Sequence, residues 1–184
     1  NSTAVGKDAL RANTDVGGQT AVGHSALKAN TTGENGVAVG QNALLSNTTG
    51  SRNTAVGHSA LSLNTAANNN TAIGFEALKS VASSGANYSN VAVGTYALKN
   101  LESSSSGNAV QNIAIGVEAL ESATSAYRCI AIGYRALESN QTTNTTVAIG
   151  YYALQALTTG TQNTAIGHYS MANCTTSVSN TCIG

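Results

Sequence analysis

The chain reads as a β-rich repeat solenoid of the parallel β-roll or β-helix type. Three observations predict it. First, a Val/Ile-Gly pair returns eleven times, its glycine falling at Gly6, Gly23, Gly40, Gly57, Gly74, Gly94, Gly116, Gly133, Gly150, Gly167 and Gly184. The intervals are 17 residues except for one of 20 and one of 22. Second, the residues before each glycine are β-branched at alternate positions, the period of a strand. Third, the unit is too small to bury its own apolar face, so neighbouring units must stack.

Taking the glycine as position zero, position minus one is Val or Ile in all eleven units, from Val5 to Ile183. Position minus three is Thr, Val or Ile throughout. Two residues apart, they share one face of a strand, and the expectation is that the all-Val/Ile column points into the core. Position minus two is Ala in every unit but the last, where Cys182 stands. It must face the other way, and its constancy predicts a second covered face. The cover is another layer of the same chain or a neighbouring chain.

Beyond the glycine come two variable residues and then Ala-Leu, as in Ala26-Leu27 and Ala153-Leu154, with Ser170-Met171 the one departure. Segments such as Phe75 to Ser80 and Tyr134 to Ser139 consist of fair helix formers. They predict a short helical turn, with a second short strand as the other reading. Asn recurs at plus seven (Asn13, Asn30, Asn47, Asn64, Asn140) and at minus four (Asn53, Asn70, Asn90, Asn112, Asn163, Asn180). Stacking would set the minus-four residues in amide ladders, although plain turn chemistry also uses Asn. Residues 1–184 thus form one continuous array of about ten repeats, with longer loops at 81–90 and 101–112.

Charged residues are 9% of the chain and the formal net charge is zero, so there is no basic stripe for nucleic acid. No apolar run is long enough to span a membrane. The chain lacks an initial Met and a signal peptide, which suits a processed chain or an excerpt. It opens and stops inside strand units, at Asn1 to Gly6 and at Asn180 to Gly184, with no polar cap. Open edges of that kind predict either a longer fibre or head-to-tail docking of copies, a contact that does not close.

Nothing in the sequence marks an enzyme, a metal site or a cofactor site. The histidines His24, His58 and His168 all sit at plus one, and stacked two turns apart His24 and His58 are too distant to share a metal. Hexapeptide acyltransferases repeat an Ile-Gly-type motif several times per turn, and here it comes once. Cys174 and Cys182, eight residues apart, are candidates for a terminal disulfide; the alternative for all three cysteines is a small buried thiol. Sequons place glycosylation candidates at Asn1, Asn30, Asn47, Asn69, Asn87, Asn140, Asn144 and Asn173, all in the loop region. Tyr134, Tyr151 and His168 occupy plus one on consecutive turns, and Tyr152 and Tyr169 plus two. This aromatic strip is a candidate ligand surface, for glycans above all, or an interface with another chain; packing over the Ala-Leu layer explains it equally well.

The recurring Asn-Thr-Ala-Ile/Val-Gly-x-x-Ala-Leu-x-x-Asn-Thr-Thr-Gly resembles repeats of phage tail-fibre proteins and related surface fibres. More loosely it is similar to the head repeats of YadA-type trimeric autotransporter adhesins, whose parallel β-rolls have shorter turns. The resemblance spans essentially the whole chain. It implies an extracellular fibre at a cell surface or on a virion, with an attachment role and no catalytic residues. The expected function is a structural, glycosylated fibre subunit that associates with itself as filament or trimer. A carbohydrate- or receptor-binding fibre head is the alternative. An ice-binding solenoid is a third reading, from the Thr ladder Thr3, Thr20, Thr54, Thr71, Thr164 and Thr181, which Val37, Val91, Ile113, Ile130 and Val147 interrupt.

Overall fold

A computed structural model describes residues 1–14, 17–81, 88–101 and 110–184. The chain is a parallel β-solenoid. Eleven strands form one sheet: β1 (Thr3–Val5), β2 (Thr20–Val22), β3 (Val37–Val39), β4 (Thr54–Val56), β5 (Thr71–Ile73), β7 (Val91–Val93), β9 (Ile113–Ile115), β10 (Ile130–Ile132), β11 (Val147–Ile149), β12 (Thr164–Ile166) and β13 (Thr181–Ile183). Each pairs in parallel with the next, and like positions lie opposite like positions: Ile130 meets Val147, Ala131 meets Ala148, and Ile132 meets Ile149. Two further short strands, β6 (Ser80–Val81) and β8 (Asn100–Leu101), pair with each other where the loops lengthen.

The inward face is the reverse of the one expected from the Val/Ile pattern. Every alanine at minus two from Ala21 to Ala165 is fully buried. The Val/Ile column at minus one points outward, with Val22, Ile73 and Ile115 exposed and Ile132 half-buried. The alanine layer has its cover from the same chain. Alanines and leucines at plus three and plus four, such as Ala136 and Leu137, are fully buried and join it in one core. The solenoid is therefore thin, and only a methyl group fits between sheet and cover.

The Ala-Leu segment is neither helix nor strand; none of the described residues is helical. It is a run of overlapping turns. The amide of Ala136 bonds to the carbonyl of Gly133, that of Glu138 to Arg135, and that of Asn140 to Leu137. Amides between these point to neighbouring turns instead: Arg135 donates to Val117 and Leu137 to Ala153. Positions plus two and plus four carry positive φ, for example Arg135 at 54° and Leu137 at 53°. That is the third residue of a type II turn, a place that ordinarily takes Gly or Asn. A leucine there costs about 1–2 kcal/mol. Burying its side chain returns about 1.5–3 kcal/mol, so the conformation is favourable only when stacked turns cover it.

The zero-position glycines are held by a second constraint. Gly133 has φ of 133°, and a Cβ on it would lie 2.4 Å from the carbonyl oxygen of Gly150. The same approach recurs from Gly6 to Gly167.

Two substitutions test these assignments. Ala131→Asp should lose the cooperative urea transition, because it puts an unpaired carboxylate into the core. Ile132→Asp, on the outer face, should cost only about 1 kcal/mol. The opposite ranking would restore the Val/Ile column to the interior. Gly133→Ala should destabilise by about 3 kcal/mol or more, since φ and the close carbonyl both oppose a side chain; an unchanged melting temperature would contradict the close stacking.

Candidate functional site

The turn after each glycine makes a corner from which plus-one and plus-two side chains project. Because the turns are in register, these side chains form columns. Tyr151 lies between Tyr134, with ring centroids 5.2 Å apart at 21°, and His168, at 5.1 Å and 10°. Tyr152 stacks on Tyr169 at 5.1 Å and 15°, and the two columns meet edge to face. All five residues of the expected strip are thus brought together. A second cluster, which sequence reading did not single out, stacks His58 on Phe75 at 5.3 Å and sets Tyr96 against Phe75 edge-on. Its signal was available, since His58 and Phe75 both stand at plus one on consecutive turns.

The strip's geometry limits what it can bind. Both faces of Tyr151 are covered by neighbouring rings, and one face of Tyr152 by Tyr169. Edges and hydroxyl groups are left for solvent, while a sugar lying flat on a ring needs a free face. Crowding takes water from the Tyr134 and Tyr151 phenols and, with Tyr152 alongside, pushes both up from their ordinary values.

Beside the rings runs a chain of ion pairs along plus two and plus five. Glu76 meets Lys79 at 2.8 Å and Lys99 at 3.5 Å; Lys99 reaches Glu121 at 3.9 Å. Arg135 joins Glu118 and Glu138. The Lys79 hydrogen bond holds the Glu76 carboxyl below its usual value, whereas burial and then Glu118 push Glu121 up. Carboxylate oxygens of Glu118, Glu121 and Glu138 lie within 4.8 Å of one another, and each faces Arg135 or Lys99. Lys99 with Glu76 and Glu121, and Arg135 with Glu118, tie one turn to the next, while Lys79–Glu76 and Arg135–Glu138 lie within a turn; at the surface each contributes little alone.

The asparagine columns are interior features. At plus seven, Asn47 donates from Nδ2 to Asn30 Oδ1 at 2.8 Å and to the Gly50 carbonyl at 2.9 Å. Asn64 donates in turn to Asn47 at 2.6 Å. At minus four, the Asn70 Oδ1 accepts the Asn90 backbone amide at 3.1 Å, and Asn90 accepts that of Asn112 at 2.9 Å. Cys129 interrupts the side-chain ladder but still donates its amide to Asn112 Oδ1 at 3.0 Å. Among the described residues, no buried side-chain nitrogen or oxygen lacks a partner.

This burial corrects the reading of the sequons. Asn30, Asn47 and Asn140 are buried with their amide nitrogens engaged, so a folded chain cannot present them to a glycosyltransferase. Asn1 and Asn173 are exposed, Asn69 and Asn144 half-buried, and Asn87 lies outside the described residues. The expected Cys174–Cys182 disulfide is also absent: all three cysteines are free. Cys182 continues the inward alanine column above Ala165, while Cys174 stands in the plus-seven column and packs on the core. Cys129 is a buried thiol, and burial pushes its pKa up.

No helix among the described residues is long and apolar enough to cross a membrane. No protein-family model matches the chain, and neither a curated protein nor a solved structure matches it. The class that the fold defines is the parallel β-solenoid.

If the chain is made in a glycosylating cell, site mapping by peptide mass spectrometry should find sugars on Asn1, Asn69, Asn144 or Asn173. Asn30, Asn47 and Asn140 should be bare. Sugar on Asn47 in folded protein would refute the buried amide ladder.

Proposed function

We propose that the protein is a structural subunit of an extracellular, glycosylated fibre with an attachment role, built by stacking copies along the solenoid axis. The observation that carries this reading is the equivalence of the turns. The glycine amide donates to the minus-one carbonyl of the preceding unit at 2.8 Å in Gly23, Gly40, Gly57 and onward to Gly184. Any turn with this motif can therefore receive any other. β1 and β13 are the outermost strands of the described sheet. A turn of another copy has the geometry to continue the ladder, which is strand addition. The mode of contact is heterologous and open, so it leads to filaments rather than closed rings.

The surface supports a scaffold more than a catalyst. Many of its charges are engaged in pairs within a turn or between turns, and its aromatic rings stack on one another. Attachment and extracellular location rest on the fibre-type repeat and on the accessible sequons.

Gly184→Val puts a side chain where the glycine carbonyl of the next copy would sit, with nothing of its own chain within 4 Å, and should leave short soluble species where the parent chain makes filaments, seen by negative-stain microscopy. A full-length chain that stays unassembled along its axis at high concentration defeats the proposal.

A further inference from the structure

With the alanine layer covered from within, the outer face of the sheet is left as an uncovered apolar surface. It consists of the minus-three and minus-one columns, two side chains per strand over eleven strands. Neither column contains a charged residue. None of these side chains is buried, and Ile115 is 39% exposed. The Thr residues concentrate towards the two ends. In the consecutive strands β7, β9, β10 and β11 both columns are wholly aliphatic, as in Ile113 and Ile115, Ile130 and Ile132.

We infer that this face pairs two copies of the chain side by side, sheet against sheet. Three features select a second copy as the occupant. Strands of three residues at about 3.3 Å each, stacked at about 4.8 Å, make a ribbon of roughly 500 Å². Two such faces together bury roughly 1,000 Å², about the least that a specific interface needs. The columns repeat with the turn spacing along the whole ribbon, so only a surface of the same pitch can interdigitate from end to end, as in dry sheet-to-sheet packing. The face also offers no charge for an ionic partner, whereas its own aliphatic block matches itself. A two-fold axis parallel to the solenoid lays that block on its copy and overlaps all eleven strands. The edges of the sheet lie outside this face, so lateral pairing and axial stacking use separate surfaces.

The test is a double variant, Ile115→Lys with Ile132→Lys, on the outer face where charge is compatible with folding. A parental circular dichroism spectrum and a cooperative melting transition report the fold. For the parent, sedimentation should give a particle of twice 18.4 kDa or, in filaments, two chains per axial repeat. The variant should give one chain in either form, with association weakened on the order of 100-fold by like charges held together. A parent with a single chain per repeat, or a folded variant that pairs as the parent does, overturns the inference. So does a single-chain parent that floats with phosphatidylcholine vesicles or shows thermal hysteresis, since membrane or ice is then the occupant. Loss of filaments with pairing intact counts against axial stacking alone.

Discussion

The approach of one turn to the next at the glycine column is the constraint on which the rest depends. There a backbone carbonyl sits where a side chain would begin, 2.2 to 2.8 Å from any Cβ from Gly6 to Gly167. Only hydrogen fits, and φ near 130° suits glycine alone. Once that contact repeats, every other position must repeat with it. Alanines lie over alanines and amides over amides, and the longer loops leave the register unchanged. The 20-residue and 22-residue intervals still place Thr71 opposite Val91 and Val91 opposite Ile113. The extra residues fall between the plus-seven position of one turn and the strand of the next. There the Asn column gives way to Val81 and Leu101, which are buried and form the small second sheet.

The eleven strands of the main sheet, their parallel order and their register were legible, because a strict period is a statement about stacking; β6 and β8 were not. The direction of the strands' faces was misread. Alternation normally assigns the larger apolar residues to the interior. That rule assumes an interior with room for them. Here the opposing layer lies so close that Ala131 fits and Ile132 does not. The sequence carried this in its variances. Columns that face a fixed neighbour stay constant, as Ala does at minus two, while the minus-three column drifts among Thr, Val and Ile because it faces outward.

The turns after the glycine were illegible for a different reason. Positive φ at plus two falls on Asp8, Ser25, Glu76, Tyr96 and Arg135, and at plus four on leucines. Residue type gives no warning of it, since the conformation is imposed by bonds to adjacent turns rather than by local preference. The isolated segment would gain little from such a shape and would favour the helical region that its composition suggests. Stacking reverses the balance by covering each leucine and pairing each amide. The aromatic columns were legible as an alignment, because plus-one residues must lie over one another. Their mutual stacking, which covers both faces of Tyr151, required the ring orientations.

The buried asparagines connect stability with the direction of assembly. A lone buried amide is costly, but a column of them satisfies each member from the turns on either side. Such a column extends for as many turns as stack. Asn180 at the end of its ladder donates to Asn163 and to Val178, and it has the same oxygen with which Asn163 accepts the amide of the next turn. The same is true of the glycine and strand ladders. In the fibre proposed above, association along the axis rests on hydrogen bonds that need register, while lateral pairing rests on apolar area that needs only a matching pitch. The first discriminates sharply among partners and the second weakly. A surface that is flat, uncharged and aliphatic over several strands would be an aggregation hazard on a free monomer. In the proposed fibre, whose copies share one pitch, the same surface serves as the inferred lateral contact.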